Sequence, residues 1–380
     1  MEEEKRNILE YFRVIEDPRV SRNRKYPIEE VVVITILAVI SFAKGWEDIE
    51  RYGKTKYEWL KTFMKLEHGI PKHDVYRRVF TVLKPELIEE CFMSWVQSVK
   101  KDIKQEVIAI DGKTVRGTFN AENNKALHIV SAYATDSKLV FGQVKTDEKS
   151  NEITAIPLLL DKLSLEGAIV SIDAMGCQYK IADKIVKKKA DYLFSLKGNQ
   201  ETLHDDVKLY FKDFDFNKPA SSMKDISFET TTTYEEKRGR KEERNYAVSG
   251  DVEWLRKLHP HFKTINSIGF VDSEREVKGK ITKERRHFIS SLPAEPHTFA
   301  KAVRSHWGIE NSLHYVLDVS FGEDDCRITK AYAPENMTII RKIALNIARL
   351  DTTSTSSMAG RIKQMAWDHT YLEKLLFYML

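Results

Sequence analysis

The sequence is poor in the features that would take it out of the ordinary globular classes. It holds three cysteines in 380 residues. Cys91, Cys177 and Cys326 are far apart and form no CxxC pair. That usage excludes a disulfide framework and a paired-thiolate zinc motif, and fits reduced cytosolic thiols. Glycine (16) and proline (10) are scarce, which excludes collagen-like and Pro/Gly-rich disordered chains. No long apolar run exists. The longest uncharged stretch, Val31–Ala43, falls short of the ~20 residues a membrane span needs, and reads as a buried helix. The first residues, Met1-Glu2-Glu3-Glu4, are acidic where a secretory signal requires positive charge. The expectation is a cytoplasmic protein with no membrane partner. Charge of one sign is also missing. Lys and Arg number 61 against 57 Asp and Glu, a net charge of +4. A nucleic-acid surface would therefore have to come from local clustering. What remains is ample length and 42% hydrophobic residues, enough for two to three domains with real cores.

Residues 1 to about 103 read as all-helical. Ile8, Leu9, Phe12 and Ile15 recur at helical spacing, and Gly45, Gly53 and Gly69-Ile70-Pro71 punctuate shorter helices. From Gly69 to Leu83 the sequence predicts a short helix with Val75, Val79 and Val82 as its apolar stripe. Arg77 and Arg78 supply charge there. Two readings stay open, a helix-turn-helix-like DNA contact and a plain bundle with a basic solvated face. At Val107 the pattern turns to strands. Val107–Ile110 is a short buried strand that delivers Asp111 at its end, and Ala168–Ile172 delivers Asp173 in the same way. Ala126–Tyr133, Leu139–Val144 and Asp191–Leu196 read as further strands, with helices at Asn151–Leu163 and Tyr179–Lys189. The fold class is therefore α/β (α+β) around a mixed sheet. Strand-like segments at Ile226–Tyr234, Arg244–Gly250, Thr264–Asp272 and Arg285–Ser290 then alternate with charged turns. The densest charge run, Glu235–Arg244, is a solvated hairpin tip or a DNA-reaching one, with Arg238 and Arg240 beside Gly239. Helices resume at Pro296, and Asp351–Gly360 is linker-like.

Two strand-end aspartates can meet when their strands are neighbours. Close carboxylates repel unless divalent cations neutralise them. Oxygen ligands suit Mg²⁺ or Mn²⁺, and two such ions clamp an in-line phosphoryl displacement. A third acid is needed. Glu310 is the candidate, on a helical stripe with His306 and His314 and beside the apolar face of Ile309, Leu313, Val316 and Leu317. Asp318 is the fallback third ligand. His306, Glu310 and His314 also allow a zinc hydrolase. HExxH is absent, however, and ligands at i−4 and i+4 of one straight helix rarely converge on one ion.

Four blocks carry a resemblance. They are Gly69-Ile70-Pro71-Lys72-His73-Asp74 with Arg78-Val79-Phe80; Ile110-Asp111-Gly112-Lys113-Thr114-Val115-Arg116-Gly117; Asp173-Ala174-Met175-Gly176-Cys177-Gln178 with Leu196-Lys197-Gly198-Asn199-Gln200; and His306-Trp307-Gly308-Ile309-Glu310-Asn311-Ser312-Leu313-His314 with Leu317-Asp318-Val319 and Phe321-Gly322-Glu323-Asp324. Ala366-Trp367-Asp368 with Tyr371-Leu372 adds a tail element. In this order they resemble the ISAs1 family of transposases, the H-repeat-associated type within the IS4-like DDE group. The chain departs from the broader group's Tyr, Arg, Glu, Lys signature. Val303, His306 and Leu317 stand at three of those positions and only Glu310 matches. Phosphate roles of that Arg and Lys are therefore not carried over.

The resemblance implies an RNase H-like catalytic core over 104–204 and 291–350, interrupted by a β-rich insertion at 205–290. It implies a helical DNA-binding or associated domain at 1–103 and a helical tail at 351–380. Asp111, Asp173 and Glu310 take the catalytic and metal-binding positions, with two Mg²⁺ or Mn²⁺ ions per site. The implied activity is DNA cleavage at the element's ends and strand transfer to target DNA. The implied partners are double-stranded DNA, as terminal inverted repeats and target, with a dimer on DNA. The rival is a catalytically silent remnant that only binds DNA. Lys113 and Arg116, in a loop after the first aspartate, and Lys197 and Asn199, after a strand end, are candidates to meet the phosphate backbone. Trp307 is a candidate to stack on a base, and His306, Asn311 and His314 to support the site.

Overall fold

The computed structural model describes residues 8–21, 24–100, 102–120, 125–146, 152–216, 227–237 and 239–377. Its contacts divide the chain into two compact units. One comprises Met1–Asp102, Gly112–Thr146 and Glu310–Leu380; the other comprises Ile103–Asp111 and Asp147–Ile309.

Among the described residues there are nine strands: β1 Val107–Asn120, β2 Lys125–Ala134, β3 Val140–Lys145, β4 Ile169–Ile172, β5 Asp191–Leu196, β6 Glu229–Lys237, β7 Arg240–Ser249, β8 Ser267–Val277 and β9 Lys280–Ser290. Their order is β3-β2-β1-β4-β5-β9-β8-β7-β6. β1, β4 and β5 run parallel, while β2–β3 and the β5-β9-β8-β7-β6 series pair antiparallel. The β3-β2-β1-β4-β5 portion has the mixed arrangement expected of an RNase H-like core. Its central strands are continuous apolar runs because helices can cover both faces. Val107, Ile108, Ala109 and Ile110 are fully buried.

β1 departs from expectation. It does not stop at Asp111 but runs on to Asn120. The alternation explains this. Lys113, Val115 and Gly117 turn inward while Thr114 and Arg116 face solvent. Gly117 has no room for a side chain, since a Cβ there would lie 2.4 Å from the Asp324 carbonyl oxygen and 2.5 Å from that of Cys326. β7, β8 and β9 are also longer than expected, and β6 lies three residues further along. The charged stretches read as turns belong largely to β6–β9, because alternating charge is tolerated where a sheet has solvent on its faces.

In the unit of Ile103–Asp111 and Asp147–Ile309, helices cover the two faces of the sheet. The helix Pro296–His306 packs on one face. There Tyr246, Val248, Val271 and Phe288 share a buried cluster with Phe299, Ala302 and Val303. Gly269 makes this possible, since a Cβ would sit 2.8 Å from the Phe299 ring. The helix Glu201–Tyr210 and the residues after it lie on the other face. Phe211 meets Phe270 at 5.0 Å and His204 meets His287 at 5.3 Å between ring centroids.

In the other unit, the helix Ile28–Ile40 is buried at every position but Glu29, as its apolar run implied. It packs on Ala333–Leu350, buried except at Glu335 and Leu350. Two asparagines on that helix tie it to its neighbours. Asn336 donates to the carbonyls of Phe80 and Leu83, and Asn346 brackets the backbone of Val140. The helix His73–Val82 buries Tyr76, Val79 and Phe80. The expected stripe is thus displaced: Val82 is exposed, and the larger aromatic surfaces take the core. The linker-like stretch is pinned at its start, where Asp351 accepts from the Thr353 and Ser354 backbones and the Tyr371 hydroxyl. No helix of the described residues is long and apolar enough to cross a membrane.

Candidate active site

The two aspartates are register neighbours. Ile110 pairs with Ile172 in the parallel β1–β4 ladder, so Asp111 and Asp173 are the next residues on strands about 4.8 Å apart. Asp111 lies inside a strand, whereas Asp173 leaves one. The Asp173 Oδ1 accepts from the backbone N–H of Met175 (3.0 Å) and of Gly176 (3.3 Å), which turns the chain back at once. Gly176 is needed for that reversal, since a Cβ there would lie 2.2 Å from Ile172 Cγ2. Burial pushes the Cys177 thiol well above its usual value and the nearby Asp173 charge adds to it, so this cysteine is an inert packing group.

Glu310 reaches the region from the helix Pro296–His306, followed by a π-helical turn at Ile309–His314. The wider turn is the physical reason the expected straight stripe does not form. His306 ends its helix with Nδ1 3.1 Å from the Ser171 hydroxyl, on β4. His314 places Nδ1 3.6 Å from Glu310 Oε2. Glu310 is exposed and His314 is buried.

Lys113 is differently placed from the loop expected of it. It sits on β1 two residues after Asp111, with its side chain largely buried. Its ammonium bonds Asp318, Glu323 (2.8 Å) and Asp324 (3.5 Å). Burial opposes its charge, but Glu323 and Asp318 outweigh burial and hold its pKa above the usual lysine value. Burial alone would raise the fully buried Glu323. The charges of Lys342, Lys113 and Arg341 instead hold it below the usual carboxylate range. Lys342, also buried, is pushed down to about 8 by desolvation against the pull of Glu323. This network was not legible from the sequence, because Lys113 and its partners are some two hundred positions apart. The acid run Glu323-Asp324-Asp325 was its only visible trace.

The other candidates are spread over the surface. Arg116 is exposed, and its backbone N–H donates to Asp324. The Asn199 amide donates to the Ala174 carbonyl and Gln200 to that of Cys177, tying the turn after β5 to the turn after Asp173. Lys197 and Asn311 are exposed. Trp307 is 42% exposed, and the Arg286 guanidinium lies 4.6 Å from its ring. Arg77 pairs with Asp74 at 2.5 Å and Arg78 is exposed beside it. Arg240 pairs with Glu242, and Arg238 lies outside the described residues.

The chain matches known proteins along most of its length. Residues 9–96 match the model described as DDE_Tnp_1-associated, and residues 102–347 match the Transposase DDE domain. The chain is 37% identical over 378 residues, 98% of each chain, to the H repeat-associated putative transposase YhhI of Escherichia coli K12. It is 38% identical over 374 residues to the putative transposase YncI of Escherichia coli O157:H7, covering 97% of this chain and 94% of that one. Among solved structures, a piggyBac transposase synaptic complex with hairpin DNA aligns with a TM-score of 0.40 at 9% identity, over 98% of this chain and 77% of that one. With a matching domain model over most of its length and relatives aligned from end to end, the chain belongs to the DDE transposase family.

Proposed function

We propose that the protein is an active DNA transposase, cutting DNA at the ends of an insertion sequence and joining the freed ends to target DNA in one site. The observation that supports this reading best is the register that sets Asp111 and Asp173 next to one another on neighbouring parallel strands, with Glu310 kept 3.6 Å from the His314 imidazole. The donor set fits hard divalent ions, since Asp111, Asp173 and Glu310 offer only carboxylate oxygens. These three residues would hold two Mg²⁺ or Mn²⁺ ions, and His314 would orient the Glu310 carboxylate. When bound, such ions polarise phosphoryl oxygen, lower the pKa of water and stabilise the leaving oxygen.

In the proposed sequence, a water oxygen attacks the scissile phosphorus and the 3′-oxygen leaves with a proton. That 3′-hydroxyl then attacks a target phosphate, releasing another 3′-hydroxyl. No bond to the protein forms. Asp173 is held by its own turn, and Asn199 ties the adjoining loops, so the chain presents its acids from rigid elements. Duplex DNA is the substrate, bound by a dimer acting in the bacterial cytoplasm. Arg77, Arg78, Arg116, Lys197, Arg238, Arg240 and Trp307 are assigned to DNA, and Asn311 to support of Glu310.

The test measures Mn²⁺ binding by calorimetry and nicking of supercoiled plasmid, in wild type and in Asp111→Asn and Glu310→Gln. Loss of both signals in both variants is expected. Metal affinity unchanged in the variants would overturn the ligand assignment. DNA binding without cleavage by wild type would identify a silent remnant.

A further inference from the structure

The near-neutral composition conceals an asymmetry in the insertion. β6–β9 form a regular antiparallel ladder, so cross-strand partners share a face and successive rows alternate. The row Lys237, Arg240, Val277, Lys280 lies on one face, as do Glu235, Glu242, Arg275, Thr282 and, further in, Thr233, Arg244, Ser273, Glu284. Arg286 belongs to the next row of that face, with Tyr246 and Val271. From residue 231 to 286 this face carries six cations against the three anions Glu235, Glu242 and Glu284. The rows between place Lys241, Lys283 and Arg285 on the other face. They stand against Glu236, Glu243, Glu274, Glu276 and Asp272. The first face is net positive by three charges and the second net negative by two.

The positive face is also the one that leads to the acids. Tyr246 and Val271 on it pack beneath the helix Pro296–His306. Arg304 of that helix makes a two-point bond to Glu235 at 3.0 and 2.8 Å, and His306 at its end meets Ser171 on β4. Ser171 pairs with Ala109, two residues before Asp111 on the same face of β1. Arg286 lies over Trp307, three residues before Glu310. The guanidinium groups are crowded. Burial pushes Arg240 below its usual value, and the charges of Arg275, Arg244 and Arg304 push it further. Such crowding is relieved by an arriving polyanion.

We propose that duplex DNA lies along the face of the β6–β9 sheet that carries Arg240, Arg275 and Lys280, and that the opposite face, with Lys241 and Lys283, stays off the DNA. The proposal rests on the transposase reading for its ligand but not on catalysis. The two faces allow a matched experiment. Arg275→Gln/Lys280→Gln and Lys241→Gln/Lys283→Gln each remove two exposed cations from the same hairpins. Binding of a fluorescein-labelled duplex is measured by anisotropy in EDTA across a salt series, with thermal unfolding as the folding control.

Each lost phosphate contact lowers the slope of log K against log salt by about 0.9. The first pair should lose up to about 1.8 in slope, and the second pair should match wild type. Equal losses, or a loss only in the second pair, would overturn the face assignment. Wild type with no salt-dependent DNA binding would overturn it together with its ligand. Metal-dependent cleavage fails or survives separately, so the face can be wrong while the transposase reading stands.

Discussion

Two groups of carboxylates follow one another along β1 and the residues after Glu310, and they are treated in opposite ways. Asp318, Glu323 and Asp324 gather on Lys113, with Lys342 and Arg341 acting on the buried Glu323. Glu310, by contrast, faces solvent, with the His314 imidazole 3.6 Å away. A buried carboxylate must be compensated by the protein itself, since desolvation of an unpaired charge costs several kcal/mol. An exposed carboxylate is solvated by water and keeps its charge without such a network. The comparison teaches that acid content alone does not mark a site; the source of the compensating charge does.

Four measurements would break or sharpen this contrast. The largest expected effect is at Glu310. Glu310→Gln should lower DNA cleavage by about 10³-fold, the scale of losing a group that stabilises transition-state charge, while stability stays within about 0.5 kcal/mol. A large fall in unfolding midpoint instead would place Glu310 among the structural acids.

Next is Lys113→Met, which removes the cation hydrogen-bonded to the buried Glu323 and should cost about 3–5 kcal/mol in urea unfolding. A neutral result would show that the Glu323 cluster is not a compensated buried network. Gly117→Ala should follow at about 1–3 kcal/mol, because the added Cβ meets backbone rather than a mobile side chain. Lost cleavage with unchanged stability would be the opposite of the expected pattern.

The smallest effect concerns His287. Burial first, and then His204, Arg285 and Lys208, push it down from 6.5 to about 4. The unfolded chain therefore binds the extra proton first. This contribution is flat above pH 6.5 and is lost as pH falls through about 4. His287→Gln should lose less stability than wild type over that window, read from urea midpoints at each pH.

Much of the architecture was legible because periodicity and apolar runs are local signals. Val107–Ile110, Ala168–Ile172 and Asp191–Leu196 read as strands, and Val31–Ala43 as a buried helix, all close to where they lie. The extension of β1 past Asp111 was not legible. Gly112 and Gly117 look like loop residues until Asp324 and Cys326 are seen against Gly117. The π-turn at Ile309–His314 was hidden as well, since an i, i+4 stripe suits a straight helix equally.

By itself the sequence determined a mixed α/β chain, with buried apolar runs leading into Asp111 and Asp173 and Glu310 read on a helix. Those features are written in neighbouring residues. Only the tertiary structure decided which charges meet. It gave Lys113 three acid partners and sorted the charges of β6–β9 into a positive and a negative face. The reason is that electrostatic pairing depends on distance in space and on burial, and neither is encoded at fixed spacing along the chain.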